Sequence, residues 1–157
     1  MMTKYLLFWN LIFFASAAHA QSEEREVMDA VVYLFNSMRE ADTTAVRAAF
    51  VPGALLHTVV EIDGRSARTN GVSLDAFVAS VGRQHAGALD ERIMFDMVRV
   101  DGKLASVWAP YLFNLNGQLS HCGVNAIQLV KTAPGWKIHS IIDTRHKEGC
   151  KPSHWFK

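Results

Sequence analysis

The run from Val107 to Arg145, "VWAPYLFNLNGQLSHCGVNAIQLVKTAPGWKIHSIIDTR", decides the fold. Asn116-Gly117 and Ala133-Pro134-Gly135 cut it into three extended segments joined by tight-turn chemistry. Upstream, "ERIMFDMVRV" (91–100) followed by Asp101-Gly102 adds a fourth, so the second half reads as an antiparallel meander of four strands. Pro110 stands inside the second of them. A proline lacks a ladder donor, so it marks an edge or a bulge that bends the sheet.

The first half has a different period. Ser22 is placed to cap a helix whose first turn carries Glu23, Glu24 and Glu26, and Val27, Val31, Leu34, Phe35 and Met38 then recur at helical spacing. Asp42 is the N-cap of a short helix expected over Thr43 to Phe50 and ended by Pro52-Gly53. "LLHTVVEI" (55–62) is a strand turning at Asp63-Gly64. Ser73 caps a third helix with Leu74, Phe77, Val78 and Val81 on one face. Helices first and a long meander after them make an α+β domain, with helices on one face of a curved sheet.

The chain opens MMTKYLLFWNLIFFASAAHAQ: one lysine, an apolar run too short to span a bilayer, and Ala18-His19-Ala20 as a small-x-small site. This predicts a signal peptide over residues 1–20, cleaved after Ala20, and export to a periplasmic or secreted location. The remainder, 21–157, is one domain. Loss of Lys4 takes the formal charge from +1 to about zero, and no basic stripe remains, which argues against nucleic acid. No membrane contact is expected after cleavage.

At this point the chain resembles the nuclear transport factor 2-like superfamily, in the order of its elements and in Trp108 to Phe113, Ser120 to Asn125 and Gly135 to Arg145. Within it, the run quoted above looks like the lumazine-binding branch. The resemblance implies a cone-shaped fold, a mostly antiparallel sheet wrapped on N-terminal helices. It covers isomerases, dehydratases, cyclases, hydrolases and plain binding proteins, so function has to be argued from the site.

Register places the polar residues. With the last turn centred near Pro134, Asn125 faces Asp143, Ile127 faces Ile141 and Leu129 faces His139, so His121, Asn125, His139 and Asp143 share a face. A bulge would shift this by one residue. The other face, with Val124, Val130, Trp136, Ile138 and Ile142, is as apolar, which points to helices on one side and a second copy of the chain on the other. The mixed face is expected to line a ligand cavity. Asp143 or His139 is the general base if the protein is a lyase or isomerase; His57, His121, Asn125, Trp108 and Tyr111 are ligand contacts, the two aromatics as a wall for a flat molecule. Without catalysis the same set describes a domain binding an apolar or aromatic small molecule, and with a filled cone, a homodimeric interaction module. No cofactor is implied, and no compact metal motif such as HExxH is present. The same register sets Cys122 against His146, close to Cys150. A Cys122–Cys150 disulfide, two free thiols and a reactive cysteine all remain open, the disulfide favoured.

Overall fold

The computed structural model describes the backbone of residues 5–150 and the side chains of residues 21–150. The elements are α1 (Tyr5–Arg39), α2 (Thr43–Ala48), β1 (Phe50–Glu61), β2 (Ala67–Val72), α3 (Leu74–Gly82), β3 (Leu89–Ile93), β4 (Met97–Asp101), β5 (Leu104–Leu115), β6 (Gln118–Thr132) and β7 (Gly135–Thr144). The strands form one seven-stranded sheet, in the order β2-β1-β7-β6-β5-β3 with β4 also on β5. All neighbours are antiparallel except β1 and β7, which run parallel. The result is a curved sheet with helices against one face, the α+β cone.

Val27, Val31, Leu34, Phe35 and Met38 are all buried, so the apolar stripe of α1 is the helical half of the core. Lys131 from β6 reaches Glu23 at 3.1 Å and Glu26 at 3.3 Å, tying α1 to the sheet. α1 passes through Ser22 without a break, so Ser22 is not a cap in this chain. The cleavage expected after Ala20 involves side chains outside the described residues. Among the described residues no helix is long and apolar enough to cross a membrane.

Asp42 and Ser73 cap as expected, accepting from the amides of Ala45 (2.9 Å) and Ala76 (3.2 Å). α2, however, ends at Ala48, and Pro52-Gly53 lies inside β1. Between Phe50 and Leu55 the β1–β7 register shifts, and Gly53 takes φ +76°, which glycine adopts without steric penalty. The pair expected to end a helix therefore bulges a strand.

The segment expected as a single strand over 91–100 is two. β3 and β4 both pair with β5, but their registers differ by one residue, with Met94 to Asp96 between them. Pro110 lies opposite this break, and its carbonyl accepts from the Met94 amide at 2.9 Å. The N and O of a strand residue point to the same side, so the donor that Pro110 lacks faces the place where the ladder is interrupted. Pro110 thus marks a bulge, not an edge.

Asn125 pairs with Asp143 and Ile127 with Ile141, but the register shifts after Gln128, and Leu129 pairs with Ile138. The expected Leu129–His139 pairing is replaced by a β-bulge in which His139 is the extra residue, exposed and without a cross-strand partner. Because side chains alternate, one extra residue changes the face of everything before it. Trp136 and Ile138 accordingly lie in the core beside Leu129 and not on the opposite face.

Candidate functional site

Between the sheet and helices α1 and α3 lies a cavity of about 520 Å³, within the usual range for small-molecule sites. Its helical wall includes Leu34, Phe35 and Phe77, and Leu56 and Ile141 add apolar surface from the sheet. Its polar groups come from the inner rows of the sheet. Thr58, Asp143 and Asn125 are cross-strand partners across β1, β7 and β6. Glu91, Phe113 and His121 form a second row across β3, β5 and β6, with the Ile93–Tyr111–Gly123 row between the two.

Asp143 is 7% exposed and both of its oxygens are engaged. Oδ1 accepts from the Thr58 hydroxyl at 2.6 Å, and Oδ2 accepts from Arg145 Nε at 2.7 Å and the Tyr111 hydroxyl at 3.1 Å. The Tyr111 hydroxyl also points at the Thr144 carbonyl, 3.0 Å away. Burial, followed by the charges of Asp143 and Glu91, holds this phenol far above its ordinary range, so it stays protonated and keeps its proton to donate. Asp143 is the anchor of a network.

Glu91 is the other carboxyl in the cavity. Asn125 Nδ2 donates to its Oε1 at 2.7 Å. Burial lifts its pKa to about 7 against the pull of that hydrogen bond, and the nearby charge of Asp143 adds to the rise. A carboxyl poised near neutrality can hold or release a proton at physiological pH. No other hydrogen bond from a described residue reaches it.

His121 lies edge-on to Tyr111 (centroids 5.7 Å apart) and tilted on Phe113 (5.0 Å), with Ser120 Oγ 3.1 Å from Nδ1. Burial, with the positive charge of Arg145 behind it, lowers its pKa, so it is a neutral, ring-stacked member of the wall at pH 7.

Of the residues singled out from sequence, Tyr111, His121, Asn125 and Asp143 converge here. Three do not. His139, the bulge residue, does not line the cavity and points to solvent. Trp108 is 44% exposed and alternates with Tyr111 across Pro110, so it belongs to the outer face and forms no wall with Tyr111. His57 borders the cavity, but it pairs with the outward Ile142, and its ring lies over Gly71, where an added Cβ would come within 2.9 Å of Nε2. Among the described residues no three of His, Cys, Asp and Glu are grouped to hold a metal ion.

The network is closed by a glycine and a disulfide. A Cβ at Gly123 would collide with the Thr144 carbonyl, so only glycine lets that carbonyl lean over β6 toward Tyr111. Beyond it, Cys122 and His146 exchange backbone hydrogen bonds of 3.0 and 2.8 Å, and Cys122 is bonded to Cys150 with a Cα separation of 5.6 Å. The segment carrying Arg145 is thus held at both ends.

No family model and no curated protein matches the sequence. Solved structures do. An NTF2-like protein of unknown function from Shewanella baltica shares 17% identity over 80% of this chain and 94% of its own, with a TM-score of 0.63. An NTF2-like protein with a cystatin-like fold from Novosphingobium aromaticivorans shares 12% identity over 92% and 95%, with a TM-score of 0.63. A candidate dehydratase of the NTF2-like family from Streptomyces avermitilis shares 15% identity over 80% and 97%, with a TM-score of 0.59. The fold is the nuclear transport factor 2-like cone.

Within this NTF2-like cone, the residues sequence reasoning missed are Glu91, Thr58 and Arg145. Glu91 had a legible signal. Leu89, Glu91 and Ile93 share one strand face, so the carboxylate interrupts an apolar parity. Thr58 had none, because its placement depends on the parallel β1–β7 pairing, which joins segments far apart in the chain.

Proposed function

We propose that this chain is an exported, single-domain NTF2-like protein that binds a mostly apolar or aromatic small molecule in its cone, with Glu91 as the group that exchanges a proton or hydrogen bond with it. The observation that carries this reading is the cavity itself: apolar on the helical side, with Glu91 and Asn125 meeting at its inner wall. The disulfide and the apolar leader-like opening support export. A flat heteroaromatic, the kind named by the lumazine-binding resemblance, fits the same class. If the site is catalytic, as a lyase or isomerase, Glu91 takes the acid–base role in place of Asp143 or His139.

Thermal shift across a panel of aromatic and aliphatic metabolites tests the reading. A true ligand at a hundred times its Kd stabilises by about 2.7 kcal/mol. Glu91→Gln is expected to weaken that binding about tenfold or more, since it removes the titrating group but keeps the acceptor for Asn125. A panel in which nothing shifts the wild-type protein would refute the reading.

A second role, pairing of two copies through the outer face, is favoured by one row of side chains. Met97, Trp108, Ala126 and Ile142 are cross-strand neighbours over four strands. Met97 is 38%, Trp108 44% and Ile142 40% exposed. An apolar row of this kind is suited to a self-complementary two-fold contact. Sedimentation equilibrium should find a dimer that Trp108→Glu converts to monomer; a wild-type monomer at high concentration would discard the role.

A further inference from the structure

The charges around the cavity do not cancel. Asp143 and Arg145 neutralise each other through their 2.7 Å contact. Glu91 is about half protonated at neutral pH and His121 is neutral. Arg83, which follows α3 and lines the cavity, donates its backbone N–H to the Val81 carbonyl, but its side chain makes no hydrogen bond or ion pair with any described residue. Lys147 adds positive charge on the side of His121. An arginine is thus left over at a site whose interior is apolar.

Arg145 is itself prepared for an anion. Asp143 takes only Nε and fixes the plane of the guanidinium, while the side chain remains 55% exposed at the cavity wall. Its terminal amino groups make no hydrogen bond to a described residue. A planar, pre-oriented fork of donors matches a carboxylate better than it matches a neutral acceptor.

We propose that the ligand is an amphipathic carboxylic acid, its carboxylate seated at the mouth of the cavity against Arg145 and Arg83 and its apolar body directed toward Leu34, Phe35 and Ile141. The assignment rests on the cavity being a binding site. A cationic ligand would meet Arg83 with only a partly charged Glu91 to offset it, since Asp143 is already paired with Arg145. A phosphate dianion would bring its second charge toward Asp143 and Glu91.

Isothermal titration calorimetry at neutral pH with naphthylacetic acid, naphthylacetamide and naphthyl phosphate separates these cases. The acid is expected to bind about tenfold tighter than the amide, and Arg83→Gln to weaken the acid about tenfold with the amide unchanged. Arg83 is exposed, so this variant should fold as the wild type does. The double variant Asp143→Asn/Arg145→Gln, which keeps the pair neutral, is expected to lose the same preference. Equal affinity for acid and amide, or tighter binding of the phosphate, would overturn the carboxylate assignment and leave the cavity reading standing. Binding of none of the three would count against the cavity reading itself.

Discussion

Between pH 4.5 and about pH 8, the wild-type protein is expected to lose about 3 kcal/mol of stability relative to Glu91→Gln. The sign follows from the direction of the shift. Glu91 has a folded pKa of about 7 against 4.5 for an ordinary glutamate, so between those values the folded state binds more protons than the unfolded one. Stability therefore falls as pH rises through this window and levels off above the folded value. Glutamine keeps the oxygen that Asn125 addresses but does not titrate, so comparison with it removes the contributions of every other group. Urea unfolding of both proteins at the two ends of the window gives the answer. A flat difference would mean that the Glu91 carboxyl is hydrated, and a rising one that it is ion-paired.

The second large effect lies at the disulfide. Cys122 and Cys150 are 28 residues apart, and opening a loop of that size is expected to lower stability by roughly 3 to 4 kcal/mol. In thermal melts of Cys150→Ser this corresponds to a fall of roughly 10 °C. Loss of well under ~1 kcal/mol would show that the Cys122–His146 backbone pair alone holds the tail against the sheet.

Both effects concern residues that the sequence made visible to different degrees. The Cys122–Cys150 bond and the Asn125–Asp143 pair were legible from a register centred on Pro134, because a tight hairpin propagates its register along two strands, and that is the register the sheet keeps beyond the bulge. That propagation holds on average and fails locally. The bulge at His139 adds a residue between turn and site, and the consecutive Ile141-Ile142 hides the change of phase, since either one can be read as the inward residue. Trp136 and Ile138 were therefore legible as apolar and illegible as core. Pro110 shows the opposite case: a missing donor is a chemical fact of the residue, so the break it requires is predictable, and it falls between β3 and β4. Glu91 was readable from parity within its own strand. Arg145 gained its meaning only from Asp143 two residues earlier, once burial had left that carboxylate in need of donors.

His139 also has a consequence in terms of chain length. It is in effect a one-residue insertion, and the strand before it is phased to that insertion. Deleting His139 would close the bulge, make Gln128–Ser140 and Leu129–Ile138 consecutive pairs and leave Trp136 and Ile138 on the inner side. Deleting a second residue there would take one from the paired ladder and exchange the inner and outer sides of that end of β7, turning Trp136 to solvent. This stretch thus tolerates the loss of one residue better than the loss of two, and a descendant that lost His139 alone could keep Trp136 and Ile138 in the same core.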